Sequence, residues 1–239
     1  MNVLSLFSGI GGLDLGLERA GMTVAGQVEI DPWCRRVLAK HWPEVPRHDD
    51  VRTAAAWWGG RRAPDLVCGG FPCQPASQAG PKLAQADPRW LWPALADIIR
   101  RLRPRYVLLE NVPGLLGRGM GDVLGDLAAS GYDAEWCCVS ASDLGAPHLR
   151  ERVWIVAYPM RPRLARIQSG SGRAETGGRR HAARPRTAPR RLWPAEPAVD
   201  RVAHGVPGRV DRLRGLGNAV VPQVAEHIGR MIMDAERAA

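Results

Sequence analysis

Short apolar runs, each stopping at a turn or an acid and separated by stretches of helical spacing, constrain this 239-residue chain more than any other feature. Residues 2–7 form such a run, broken by Ser8-Gly9-Ile10-Gly11-Gly12. Leu13, Leu15, Leu17 and Ala20 then suggest one side of a helix that Gly21 ends. Residues 23–28 read as a second strand ending at Glu29-Ile30-Asp31, followed by a helix carrying Trp33, Val37 and Leu38. Residues 64–70 and 105–109 are the third and fourth apolar runs. Between them, residues 89–102 place Leu91, Leu95, Ile98, Ile99 and Leu102 at helical spacing. Alternating strands and helices predict an α/β fold with a mostly parallel, doubly wound sheet. Residues 121–129 add a helix. Strands at 134–140 and 153–157 are expected to close the sheet as a hairpin across 142–147, and a last amphipathic helix runs over 222–235.

Periodicity vanishes between residues 159 and 210, where 168–191 are rich in Gly, Arg, Ser and Pro. That composition fits an irregular small domain, a mobile loop, or both. The formal net charge of +9 is concentrated there. From Tyr158 to Arg214 fourteen arginines face only Glu175, Glu196, Asp200 and Asp211, a net of +10, so the remainder sums to −1. With Lys40 and Lys82 the only lysines, a GC-rich genome explains Arg over Lys. It does not explain the scarcity of acids in one segment. A phosphate-facing surface is the favoured reading and a solvated loop its competitor. Cys34, Cys68, Cys73, Cys137 and Cys138 show no CxxC spacing, so neither a disulfide framework nor a zinc site is supported. Cys34, Cys68 and Cys137 are expected to be small buried apolar residues. Without an apolar run of spanning length or a signal-like start, a soluble, intracellular protein is expected.

In an open parallel sheet, ligands bind beyond the carboxyl ends of the strands. Four features converge there. The first strand ends in a glycine-rich turn whose amides can approach a ligand, and the second at Glu29, suited to accept bonds from both hydroxyls of a ribose. The third ends in Gly69-Gly70-Phe71-Pro72-Cys73 and the fourth in Glu110-Asn111-Val112. A GxGxxG dinucleotide fingerprint would start at Gly9 with Gly11 in register, but Asp14 stands at its sixth position. The turn instead suits a ligand without a pyrophosphate, such as S-adenosylmethionine. Prolines on both sides of Cys73-Gln74 keep that cysteine out of a regular strand or helix interior.

Taken together, these pieces resemble a bacterial or phage DNA (cytosine-5-)-methyltransferase over nearly the whole chain. The pieces are Leu6-Phe7-Ser8-Gly9-Ile10-Gly11-Gly12, Glu29 with Asp31, Asp50-Val51, Gly70-Phe71-Pro72-Cys73-Gln74-Pro75-Ala76-Ser77 and Glu110-Asn111-Val112-Pro113-Gly114. They continue with His148-Leu149-Arg150-Glu151-Arg152 and Arg214-Gly215-Leu216-Gly217-Asn218-Ala219-Val220-Val221-Pro222. His148 stands where the family has Gln, and Ala76 where it often has Phe.

The resemblance implies a Rossmann-like, S-adenosylmethionine-dependent domain over 1–158 and 211–239, with a small target-recognition region over 159–210. It implies Cys73, Glu110, Arg152 and Arg150 as catalytic residues. Phe7, Ser8, Gly9, Gly11, Gly12, Glu29, Ile30, Asp31, Asp50, Val51, Pro72, Asn218 and Val220 would hold the cofactor, with no metal. Cytosine C5 is a poor nucleophile until a thiolate adds at C6, which is why a cysteine and a proton donor for N3 are needed. The target must leave the duplex to be reached. Residues 77–88, small and polar, are expected to close over it.

The expected partner is double-stranded DNA, met by a monomer in a bacterial or phage-infected cytoplasm. The context would be restriction-modification, with a possible cognate endonuclease, or phage self-protection. A catalytically silent DNA-binding regulator and an RNA cytosine-5 methyltransferase are the alternatives. The short recognition segment favours the former.

Overall fold

The computed structural model describes residues 1–72, 90–160 and 209–238. The expected loop at 77–88, Cys73 itself and most of the arginine-rich segment lie outside the described residues. Seven strands form one sheet: β1 (Asn2–Leu6), β2 (Thr23–Val28), β3 (Arg47–His48), β4 (Leu66–Gly69), β5 (Tyr106–Asn111), β6 (Tyr132–Ser140) and β7 (Glu151–Pro159). Their order is β3-β2-β1-β4-β5-β7-β6. The first five run parallel, and β7 runs antiparallel to both β5 and β6. The order reverses between β1 and β4, which makes the space beyond their carboxyl ends the place where a ligand can enter.

Helices cover both faces. α1 (Gly12–Arg19), α2 (Pro32–His41), α3 (Ala54–Trp58), α4 (Trp92–Leu102), α5 (Leu115–Arg118), α6 (Met120–Ala129), α7 (Arg209–Asn218) and α8 (Pro222–Arg237) follow in chain order. Alternation along each strand divides the core in two. Leu4, Leu6, Val67, Val107 and Leu109 face the side of α4 and α6, packing on Trp92, Ile98 and Leu127. Val3, Leu66, Cys68, Leu108 and Trp154 face α1 and α8, packing on Leu17, Val224 and Ile228. Asp31 starts α2 by accepting the N–H groups of Trp33 and Cys34, with Pro32 in the first turn, where its missing N–H costs nothing.

The α1 face differs from the expected one. The residues it buries are Leu13, Asp14, Gly16 and Leu17, not Leu13, Leu15, Leu17 and Ala20. Positions 13, 15 and 17 alternate like a strand. The helical turn brings Gly16 round instead, and α8 lies so close that a side chain there would run into Ala225 and the Pro222 carbonyl. Cys137 also departs from expectation. It is exposed on β6, the edge strand, while Cys34 and Cys68 are buried as expected. Burial pushes the Cys34 thiol up to about 12 and the Cys68 thiol well above its ordinary value, so neither is a thiolate near neutrality. Among the described residues, no helix is long and apolar enough to cross a membrane, and no three His, Cys, Asp or Glu side chains cluster to hold a metal ion.

Candidate active site

The turn after β1 is held in a conformation few sequences tolerate. Phe7 (φ 54°), Gly9 (φ 56°) and Gly11 (φ 84°) are all left-handed. A non-glycine residue persists there only where its surroundings fix it. Ser8 supplies part of that hold, donating its Oγ hydrogen among Ser5 Oγ at 3.0 Å and the Ser5 carbonyl at 3.1 Å. Ser5 Oγ donates in turn to the fully buried Asp14 at 2.9 Å, whose other oxygen accepts from Gln27 Nε2 at 2.8 Å. This buried chain beneath the turn was missed from the sequence. Its only signal was a carboxylate, Asp14, standing between two leucines of an apolar helix.

Glu29 joins the first two strand ends. Its Oε2 accepts from Gly9 N at 2.7 Å and its Oε1 from Asp31 N at 2.8 Å. Each oxygen keeps a further lone pair for a ligand hydroxyl. Ile30 beside it is 64 % exposed, an apolar side chain standing open at the strand end. Asp50 caps the short turn that follows β3 and pairs with Arg52, and Val51 is buried in the core, which leaves only its backbone for a ligand. Asp31 also lies 3.8 Å from Arg214.

The loop leaving β4 is anchored at its start. Phe71 is buried against the rings of Trp90 and Trp92, at 5.7 and 5.3 Å between centroids. Asn111 Nδ2 donates to the Phe71 carbonyl at 3.0 Å, and Asn111 Oδ1 accepts from Val112 N at 2.9 Å. Cys73 thus follows Phe71, a fixed residue, by two positions, with exposed Pro72 between them. Gly70 lies against Glu110 so closely that a Cβ would come within 2.8 Å of Oε2. The other carboxylate oxygen of Glu110 meets Arg152 Nε at 2.9 Å. Burial raises the Glu110 carboxyl above the usual carboxylate range, against the opposing pull of Arg152 and Arg150.

Arg150, at φ 35° another left-handed residue, reaches across to the closing motif. Its Nη2 donates to the carbonyls of Gly217, at 3.0 Å, and Ala219. That motif returns the favour to the turn: the Val220 carbonyl touches Gly12 where any side chain would overlap it. Asn218 stands exposed at the end of α7. Phe7 to Gly12, Glu29 to Asp31, Asp50, Pro72, Glu110, Arg150, Arg152, Asn218 and Val220 therefore lie at or near the end of the sheet where the parallel strands have their carboxyl ends. A groove of about 830 Å³ borders the same turn, but Glu29 and Glu110 do not line it, and no cofactor is assigned to it.

Residues 1–172 match the family described as C-5 cytosine-specific DNA methylase. The chain belongs to that family. Among its curated relatives, the type II methyltransferase M2.BsuMI of Bacillus subtilis (strain 168) is 39 % identical over 168 residues, covering 66 % of this chain and 42 % of that protein. M.DsaV of Dactylococcopsis salina is 35 % identical over 163 residues, covering 66 % of this chain and 46 % of that protein. Each match thus spans less than half of the relative. A solved structure described as a putative DNA modification methyltransferase encoded within a prophage (E. coli) aligns with a TM-score of 0.57 at 30 % identity, over 66 % of this chain and 47 % of that one. The S. pombe Dnmt2 methyltransferase aligns at 0.58 and 23 % identity over 66 % of this chain and 51 % of that one, a likeness of fold. The matched residues 1–172 include all seven strands of the sheet.

Proposed function

We propose that this C-5 cytosine methylase homologue transfers a methyl group from S-adenosylmethionine to carbon 5 of cytosine in double-stranded DNA. The observation that carries the reading is Glu110, a buried carboxyl held against Gly70 and Arg152 at the point where the Phe71-Pro72-Cys73 loop leaves the sheet. The strand ends fit the cofactor: Glu29 offers acceptors to ribose hydroxyls, Ile30 an apolar face to a base, and the 8–12 turn backbone close to a ligand. When bound, S-adenosylmethionine supplies an electrophilic methyl group on its sulfonium.

The chain's own residues do the rest. Cys73 adds as a thiolate to C6 of the extruded cytosine, and the displaced electron pair moves toward N3. Glu110, kept protonated further toward neutrality by burial, gives its proton to N3. Arg152 holds the acid in place and is positioned to meet the base carbonyl oxygen. As C5 is methylated the N3 proton returns to Glu110; loss of the C5 proton to a base then re-forms the C5–C6 double bond, and the Cys73 sulfur leaves. Arg150 supports the closing motif against the turn. Recognition of the target sequence falls to residues 159–210, with restriction-modification or phage self-protection as the setting.

The test is transfer of labelled methyl to mixed-sequence DNA, run beside RNA and with Cys73→Ser as control. Cys73-dependent labelling of DNA is expected. Labelling of RNA alone would move the substrate to RNA, and no Cys73-dependent transfer to either would leave a cofactor- and DNA-binding regulator. Bisulfite sequencing of DNA from cells expressing the chain reads out the target.

A further inference from the structure

Among the described residues, one buried side-chain polar atom has no hydrogen-bond partner, and it is Trp154 Nε1. The residue is 2 % exposed. Buried donors left unpaired are costly enough to be rare, so the place of this one is informative. Trp154 on β7 stands directly opposite Glu110 on β5, so both side chains rise from the same face of the sheet. Between them is a small cavity walled by Glu110, Trp154, Arg150, Arg152, Val139 and Val224. The centre of a water-sized sphere has about 10 Å³ open to it there, so a water molecule fits. The valines offer it no polar partner. The indole N–H and the Glu110 carboxyl do.

We propose that this cavity seats one water molecule that accepts the Trp154 N–H and donates to the Glu110 carboxyl, making Trp154 a positioning residue for the acid. The inference rests on the proposed role of Glu110 as the proton donor. A single ordered water explains how a buried indole tolerates its place. It also gives the acid a second fixed partner besides Arg152, on the wall opposite Gly70. Among the described residues, the charged groups facing Glu110 are Arg152 and Arg150 alone. β6 presents Val139 to the cavity, the segment leading into α8 presents Val220 and Val221, and α8 itself presents Val224. A water donating to the carboxylate favours its ionised form, so removing that water raises the pH at which Glu110 titrates.

The test uses nuclear magnetic resonance on the full chain and needs no turnover. Loss of one indole signal in Trp154→Phe assigns the Trp154 N–H, and its cross-relaxation with water is then measured in the unsubstituted protein. Val224→Ile fills the cavity while leaving the indole in place. The expected results are a water contact at the Trp154 N–H that disappears in Val224→Ile, and a Glu110 carboxyl titration displaced upward by about half to one pH unit. Val139→Ile fills the same space from β6 and carries the test should Val224→Ile fail to fold. A Trp154 N–H without a water contact, or a Glu110 titration unmoved by filling the cavity, overturns the proposal. Both readouts are independent of methyl transfer. Failure of the methylation assay with these results intact would fault the reading of function and not the water site.

Discussion

Asp14 gives the sharpest test of the forces under the turn after β1. It is fully buried in the first turn of α1, and burial outweighs its bonds from Gln27 and Ser5 to push its carboxyl from 3.8 up to about 6. A rise of that size corresponds to about 3 kcal/mol between the protonated and ionised forms. The folded value lies above the unfolded one. Between about pH 4 and pH 6 the folded state therefore keeps a proton that the unfolded chain has lost. The stabilisation is fully present below the unfolded value and is lost as pH rises through about 6.

Asp14→Asn is neutral at every pH and should lack this dependence. It keeps an acceptor for Gln27 but reverses the bond with Ser5, an offset that does not vary with pH. The assay is urea unfolding of both proteins from about pH 4 to pH 8, with the two free energies subtracted so that shared titrations cancel. The difference should move by about 3 kcal/mol in favour of the natural residue toward the acid end. A difference that stays flat, or that favours Asp14 toward the alkaline end, would refute the argument.

Three further outcomes follow from contacts at the site. Gly70→Ala would press a methyl group on Glu110 and should cost about 1–3 kcal/mol in stability, with methyl transfer slowed at least tenfold in single turnover; an unaltered rate would mean the acid is not held there. Asn111→Ala removes the bonds to Phe71 and Val112 and leaves a buried carbonyl unpaired, about 1–3 kcal/mol in chemical unfolding, with faster hydrogen exchange at Phe71. Arg150→Ala should release the carbonyls of Gly217 and Ala219, so amide exchange over residues 216–221 rises and calorimetry finds S-adenosylmethionine bound about tenfold more weakly; protection equal to the natural protein would count against the tether.

The parts of this molecule legible in its sequence are those where a strand stops abruptly. Glu110 could be placed because an uninterrupted apolar run, Tyr106 to Leu109, ends at it, as burial on both faces favours; Glu29 was placed although Gln27 interrupts the run before it. Arg47–His48 is a strand of two residues and leaves no period to read. α3 is five residues long, three of them alanine, and hides for the same reason. The buried face of α1 was misread because close approach to α8 selects a glycine, and hydrophobicity does not report that. Cys137 was expected inside, but it stands on the edge strand β6, on the face it shares with its β7 partner Trp154, and is exposed there. The hydrogen bonds from Asn111 and Arg150 join residues 40 and 67 to 69 positions apart, a distance no local pattern encodes.

The packing of α8 on α1 has a consequence for how such a chain can change. Gly16 of α1 is closed by Ala225 and the Pro222 carbonyl, and Gly229 of α8 by Leu17 and Ala20, so neither can gain a side chain while its partner helix stays where it is. Divergence at this seam is therefore paired, with α1 and α8 changing together or not at all.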